Sequence, residues 1–527
     1  MRVSLALSLV LAVAGTLCAA QKGGKWKVIG RSGVPAMHAV LTTANKIVIV
    51  DKAEPSELTF DDGTYAWASE YDLTTNTARP LRLLTNTFCS AGAFLGNGTL
   101  LEMGGDIRFR DPTFPADVGF QSIRAFHPCD DNTCEFIENP GGIHMSSNRW
   151  YPAMLTLPDG RVMVAGGSTK GQGAVAAQYN NPTYEIFPRK EGEALNYEMP
   201  ILRTTIPNNL YPQIYVLPTG NLFVLSNRDA VIYDYIRHRT VKQLPKVPGV
   251  PRTYPLTGSS VMLPLDPAKD YEPEILVCGG SEEMDRFKPA DNTCVRIRPL
   301  AEDPEWRIED MPNRRTMPDM VLLPQGNVLI VNGAAEGFAG YSNAKLPQLV
   351  PLLYEPDQEE GKRFSLLTPS DVPRIYHSVA MLLPDGRVWV AGSNPHSRIS
   401  RETEFRVESY TPDYLLSNKP RATITECPTE ITYDQEFDLT LDLGFNPQSA
   451  DEVNDIRVFI AHLGFVTHST HMGQRHVLMR YQVKNVDRTM TLTTRSPPNP
   501  NLFPPGKHWL YVVVNGVPAV AKHVWIH

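Results

Sequence analysis

Five stretches of the chain share one pattern: CSAGAFLGNGTLLEMGGD from Cys89, YPAMLTLPDGRVMVAGGS from Tyr151, YPQIYVLPTGNLFVLSNR from Tyr211, MPDMVLLPQGNVLIVNGA from Met317 and YHSVAMLLPDGRVWVAGSN from Tyr376. Each is an apolar run, a turn built on glycine and a second apolar run, which is how a β-hairpin is written. Two weaker copies, MHAVLTTANKIVIVDK from Met37 and PLTGSSVMLPLDP…PEILVCGGS from Pro255, bring the number to seven. A lone hairpin cannot bury its apolar faces. Hairpins recurring at intervals of about 45 to 62 residues bury them by standing side by side around an axis, as blades of a β-propeller do.

The Gly-Gly ends of several copies resemble kelch repeats, and shorter strands such as PTYEIFPR, AVIYDYI and PLLYEP fall between the copies. Four strands per repeat and seven repeats predict a seven-bladed kelch-type β-propeller over residues 21–417. After Pro420 the pattern changes. RATITECPTEITYDQEFDLTLDL alternates with period two and lacks the Gly-Gly repeat, and RVFIAHLGFVTH, RHVLMRYQV, RTMTLTTR and KHWLYVVV follow. About a hundred residues of antiparallel strand predict an immunoglobulin-like β-sandwich over 418–527. The expected fold is all-β, and 45 prolines and 37 glycines suit a turn-rich chain. With 50 basic against 57 acidic residues the net charge is −7, which points to neither nucleic acid nor an anionic membrane as partner.

The N-terminus, MRVSLALSLVLAVAGTLCAA, has an arginine, a short apolar run and small residues. It reads as a secretory signal over 1–20, and the protein as secreted and extracellular. No other run is apolar for long enough to span a bilayer. In an oxidising compartment cysteines are read as disulfides. Cys129 and Cys134 flank a polar turn, and Cys278 and Cys294 flank another polar excursion; pairing them leaves Cys89 and Cys427, for which one disulfide is the plain reading. Asn97-Gly98-Thr99 is a glycosylation sequon in a turn.

Aligned on their turns, Cys89, Tyr151, Tyr211 and Met317 each stand eight residues before the residue preceding the turn glycine. Tyr376 stands nine before it, which predicts a bulge or a one-residue shift. Equivalent positions on different blades lie at similar heights about one axis, so Cys89 and Tyr151 are candidates to meet near it, with Tyr376 and His377 facing them. Singly, each has an ordinary structural explanation: a tyrosine at a blade edge packs with its hydroxyl at the rim, and a buried cysteine is a small hydrophobe. Four histidines crowd into AHLGFVTHSTHMGQRH: His462, His468, His471 and His476. Spacing alone does not say which of them binds a metal.

The segments LTNTFCSAGAFLGNGTLLEMGG, NRWYPAM, VPRIYHS, LGFVTHSTHMGQRHVLM and NLFPPGKHWLYVVVNGVP together resemble the secreted copper radical oxidases, glyoxal oxidase more closely than galactose oxidase. The resemblance implies one copper ion at the propeller axis, held by Tyr151, Tyr376, His377 and His468. It implies a thioether between Cys89 and Tyr151 that makes this phenol the site of a stored radical, Tyr376 as the base, and Trp67 as an aromatic shielding the radical. That use of Cys89 leaves Cys427 as a buried free thiol of the sandwich. The implied reaction takes small aldehydes of the glyoxal and methylglyoxal type, as hydrates, to carboxylic acids while O₂ becomes H₂O₂. A peroxidase that uses the H₂O₂ is the implied partner, and a monomer the implied state. Two other readings stand beside it: an oxidase of primary alcohols or galactose-type carbohydrates, and a non-catalytic kelch-like propeller that binds partners. The second has no need of two tyrosines, two histidines and an unpaired cysteine in register.

Overall fold

In the third blade Ala153–Thr156 pairs antiparallel with Val162–Ala165 across the Pro-Asp-Gly turn. Gly160 there takes φ 78°, a left-handed value that costs glycine little and any other residue more. Thr183–Phe187 and Tyr197–Glu198 complete a sheet of four. The other six copies build the same unit. A computed structural model describes residues 23–171 and 173–527; the predicted signal segment lies outside them. Inner strands face a neighbouring blade on both sides and outer strands face water. In the fourth blade Leu222–Ser226 is accordingly buried throughout, while Arg239–Gln243 is mostly exposed. The ring is closed by the two ends of the propeller chain, because Lys25–Arg31 pairs with Arg406–Thr411 as the outermost strand of the seventh blade.

The C-terminal residues form two facing sheets. One holds Thr423–Glu426, Glu436–Asp442, Thr489–Arg495 and Tyr481–Asn485; the other holds Glu430–Ile431, Lys522–Ile526, Gly506–Val514, Ile456–His462 and Arg475–Leu478. Leu439 and Leu492 from the first meet Val458 and Leu510 from the second in one apolar core. The hairpin Phe465–Thr467 and Thr470–Met472 leaves this sandwich altogether. Its first strand pairs with His38–Val40, the innermost strand of blade one, and so extends that blade's sheet to six strands.

Five blades share a device that hairpin periodicity does not reveal. A buried arginine donates from Nη1 to a carbonyl at the end of its blade's second strand: Arg124 to Gly104 (2.8 Å), Arg149 to Gly166 (2.9 Å), Arg252 to Gly279 (2.5 Å), Arg315 to Asn332 (2.7 Å) and Arg374 to Gly392 (2.6 Å). The guanidinium satisfies carbonyls that the twisting strands leave without ladder partners. Arg149 also meets Glu185 at 3.1 Å and Arg374 meets Glu408 at 2.9 Å. Arg315 has no carboxylate partner among the described residues, and burial pulls it down to about 9.

Cys129–Cys134 and Cys278–Cys294 are disulfides, as the pairing of flanked loops predicts. Cys89 and Cys427 are free, so the disulfide between them is corrected: Cys89 is buried at the axis, and Cys427 is half-buried in the sandwich with its thiol donating to the Pro428 carbonyl.

Arg149→Met and Arg315→Met remove the same guanidinium from equivalent places. The first leaves the buried Glu185 carboxylate with only the longer contact to Arg189, at 3.4 Å, and is expected to cost about 3–5 kcal/mol. The second leaves only carbonyls unpaired and is expected to cost about 1–3 kcal/mol. Denaturant unfolding of the two variants checks the order; equal losses would mean that Glu185 contributes nothing.

Candidate metal centre at the propeller axis

The residue in the repeated register position enters its strand through a left-handed backbone. Cys89 has φ 56°, Tyr151 61°, Tyr211 45°, Met317 56° and His377 62°. Each costs of order 1–2 kcal/mol for a residue with a Cβ. Backbone bonds join neighbours around the ring: Tyr151 N–H donates to the Cys89 carbonyl at 2.9 Å, Tyr211 N–H to the Tyr151 carbonyl at 3.0 Å, and Met317 N–H to the Thr257 carbonyl at 2.9 Å. On the seventh blade the register residue is therefore His377, and Tyr376 precedes it. There is no bulge, since Ser378–Leu382 pairs with Val388–Gly392 in unbroken register.

His468 reaches the same place from the other domain, at the tip of the hairpin that extends blade one. It too is left-handed, with φ 46°, and Ser469 beside it has φ 65°. The Thr467 hydroxyl bonds Nδ1 at 2.7 Å and fixes the ring, which leaves Nε2 turned toward Cys89 Sγ at 3.5 Å. The other three clustered histidines do not enter. His471 bonds the Leu463 carbonyl at 2.7 Å, His462 accepts from Gly464 N–H, and His476 lies on Phe459.

The predicted group converges. The Tyr151 and Tyr376 hydroxyls are 3.0 Å apart. The Cys89 thiol lies beside the Tyr151 phenol, close enough for each to bear on the other's protonation. The Tyr376 and His377 rings stack at 3.8 Å, and the His468 ring lies 4.7 Å from His377 and 5.4 Å from each tyrosine. A ligand atom from each of Cys89, His377 and His468 falls within 4.8 Å of the others. All five side chains belong to residues no more than 4% exposed.

Burial sets the electrostatics. It raises the Tyr151 and Tyr376 phenols and the Cys89 thiol well above their ordinary values and drives His377 and His468 well below theirs. The metal-free site is therefore a neutral pocket with lone pairs on its imidazoles. Neither nitrogen of His377 has a hydrogen-bond partner among the described residues. The Asn394 backbone lies near enough to favour a protonated ring, without a bond of normal geometry. A buried imidazole with two unpaired nitrogens is costly, and a cation on one of them removes half of that cost. Two imidazole nitrogens and two phenol oxygens are a donor set that fits Cu(II), and a dication would reverse the penalty on ionised phenol.

Aromatic rings wall the site. The ring on Tyr151 is Tyr254, stacked at 4.2 Å and 25°, with Trp150 at 4.4 Å and Tyr211 edge-on at 5.1 Å. Trp67 is buried before the strand Ala68–Asp72, where its carbonyl accepts from Asp51 N–H, and it makes no ring contact with Tyr151 among the described residues. Tyr341 sets its edge against Tyr376 and His377, and Lys52, paired with Glu54 at 3.1 Å, donates to its hydroxyl at 2.9 Å. Tyr254 stands three residues before Thr257, outside the register of the hairpins, and Tyr341 stands on an excursion of blade six. Neither carries a signal that periodicity exposes.

The chain matches two family models, glyoxal oxidase N-terminus over residues 37–414 and galactose oxidase-like Early set domain over 421–526. It is 36% identical to the aldehyde oxidase GLOX of Vitis pseudoreticulata, covering 95% of this chain and 97% of that one. It is 34% identical to the aldehyde oxidase GLOX1 of Arabidopsis thaliana, over 95% and 84%. A fungal alcohol oxidase of the AA5 family, solved in complex with copper, superposes with a TM-score of 0.70 at 17% identity, covering 95% of this chain and 99% of that one.

If the two axial imidazoles hold the metal, His377→Ala and His468→Ala each lower the copper bound by the purified protein to a small fraction of wild type. His471→Ala, on the same hairpin but bonded elsewhere, leaves it unchanged. Metal analysis after dialysis checks this, and equal copper in all three would exclude these histidines as ligands.

Proposed function

The chain belongs to the glyoxal oxidase family, and from that membership we propose that it is an extracellular copper radical oxidase that oxidises small aldehydes of the glyoxal and methylglyoxal type. The hydrate is the form that reacts: RCH(OH)₂ + O₂ gives RCOOH + H₂O₂, two electrons and two hydrogens passing to oxygen. The observation that carries the reading is the meeting of Cys89, Tyr151, Tyr376, His377 and His468 at one buried point from four separate parts of the chain.

Tyr151, Tyr376, His377 and His468 would hold the copper. When bound, copper supplies one-electron redox capacity and a Lewis-acidic position for a substrate oxygen. The remaining work belongs to side chains. Cys89, whose carbonyl accepts the Tyr151 N–H at 2.9 Å, would form a thioether to that ring. A carbon–sulfur bond replaces the S–H and an aromatic C–H, and the two hydrogens and two electrons leave to O₂ as H₂O₂. A sulfur-substituted phenol is easier to oxidise than tyrosine, so Tyr151 can keep the second oxidising equivalent. Tyr376 takes the proton of the substrate hydroxyl, general-base work at 3.0 Å from the Tyr151 oxygen. Tyr151 as a radical takes the hydrogen from carbon. Trp150, Tyr211 and Tyr254 exclude the water that would quench it.

Secretion is supported by the N-terminal signal pattern and by two disulfides. No helix among the described residues is long and apolar enough to cross a membrane. The peroxide product makes a peroxidase the class of enzyme to act next.

Three measurements test the proposal. Peptide mapping after copper loading and full thiol reduction should recover the Cys89 peptide still joined to the Tyr151 peptide; separate, unmodified peptides from active enzyme would end it. Cys89→Ala should retain copper yet turn over at less than about 1% of wild type, a loss of more than about 2.7 kcal/mol in barrier terms. Peroxide release should be faster on methylglyoxal than on galactose or an aryl alcohol, and the reverse order would move the chain to the alcohol oxidases.

A further inference from the structure

We propose that the Tyr254 hydroxyl is the specificity-determining group of this site, and that it selects a geminal diol, the hydrate of an aldehyde, over a primary alcohol. The inference rests on the oxidase reading above and names what that site prefers. The Tyr254 hydroxyl is 2.9 Å from that of Tyr151 and 3.2 Å from that of Tyr376, which are 3.0 Å from each other. Three phenol oxygens thus form a triangle with one hydrogen-bond length on each side. The repeat explains the presence of Tyr151 and, one residue off register, of Tyr376. It does not explain Tyr254, which comes from the connection between blades four and five.

The two other tyrosines that line the site are already engaged. The Tyr211 hydroxyl donates to the Ser90 carbonyl at 2.8 Å, and that of Tyr341 accepts from Lys52. The partners of the Tyr254 hydroxyl are the two phenols themselves. A substrate that offers a hydroxyl to Tyr376 and a C–H bond to Tyr151 must lie against this triangle, so it displaces or joins the bonds that Tyr254 makes. A primary alcohol has one hydroxyl on its reacting carbon, and Tyr376 takes it. A hydrated aldehyde has two on the same carbon. With the first at Tyr376, the second comes within reach of an oxygen only 3.2 Å away that can both donate and accept. The alcohol puts hydrogen there and leaves a buried hydroxyl short of a partner, the situation in which discrimination is large.

Tyr254→Phe keeps the ring on Tyr151 and removes only the oxygen. We expect kcat/KM on methylglyoxal to fall at least tenfold further than kcat/KM on an aryl alcohol, since loss of a bond to Tyr151 and Tyr376 acts on both substrates and loss of the diol's second partner acts on one. A second readout needs no turnover. Hydrated trifluoroacetone is a geminal diol with no hydrogen on its carbinol carbon, and 1,1,1-trifluoro-2-methyl-2-propanol is its single-hydroxyl counterpart. Calorimetry on the copper-loaded wild type should find the diol bound at least tenfold tighter than the alcohol, with that difference lost in Tyr254→Phe. Equal binding by the wild type overturns the inference whether or not the variant folds, and so does a variant that loses both substrates equally or neither. A wild type that releases no peroxide from either substrate class would instead defeat the oxidase reading, and the two inert ligands would still report on Tyr254.

Discussion

A left-handed backbone at the inner end of a blade is the constraint on which this site depends. Cys89, Tyr151 and His377 adopt it on three blades, and His468 adopts it on a hairpin from the other domain. A strand entered in the ordinary extended way would send these side chains into the flat faces between blades, where a packed core wants apolar residues. The left-handed step turns them toward the axis. It costs of order 1–2 kcal/mol at each place, and the surroundings must make it the only solution. The buried arginines do this. Arg149 stands two residues before Tyr151 and Arg374 three before His377, and each is fixed by carbonyls and a carboxylate. Strain at the centre is thereby balanced by charge-assisted bonds a short way out along the same loops.

The same placement explains why a cluster of titratable groups can be buried together. No formal charge need exist there before a cation arrives, because burial holds the phenols and thiol protonated and the imidazoles neutral. The charges of the neighbourhood stand one layer away. Lys52 with Glu54 lies behind Tyr341, and Glu102 with His38 lies beneath Ser90. A pocket rich in lone pairs and poor in charge favours a soft or borderline dication over the hard ions that bind carboxylates.

What was legible in the sequence is what the hairpin repeat controls. The blades and the sandwich follow from strand period and turn glycines, the two disulfides from cysteines that flank polar loops, and register makes Cys89, Tyr151, Tyr376 and His377 candidates to meet at the axis. Even the odd offset of Tyr376 held information, since it marks His377 as the register residue. The choice of His468 among four histidines came from family resemblance, because nothing in the run AHLGFVTHSTHMGQRH shows that its middle leaves the sandwich to pair with His38–Val40. Tyr254 and the arginines escaped for a common reason. All but Arg124, which sits in the strand Ile123–Phe126, act from connecting loops, whose course is set by tertiary bonds and not by a period.

That departing hairpin also bears on how the two domains depend on each other. Its first strand bonds to the innermost strand of blade one and its tip ends among the residues of blades two, three and seven. Met472, on its second strand, accepts the Met154 N–H of blade three through sulfur at 3.3 Å. Gln474 just beyond it bonds both the N–H of Leu322 and the carbonyl of Met320 in blade six. The hairpin is therefore a core strand pair for a ring that otherwise leaves a hole at its centre, and one ligand position is part of the same plug. Loss of the sandwich would remove packing and the imidazole together. The proposed metal centre takes one of its two imidazoles from this hairpin, so its full donor set exists only where the two domains are joined.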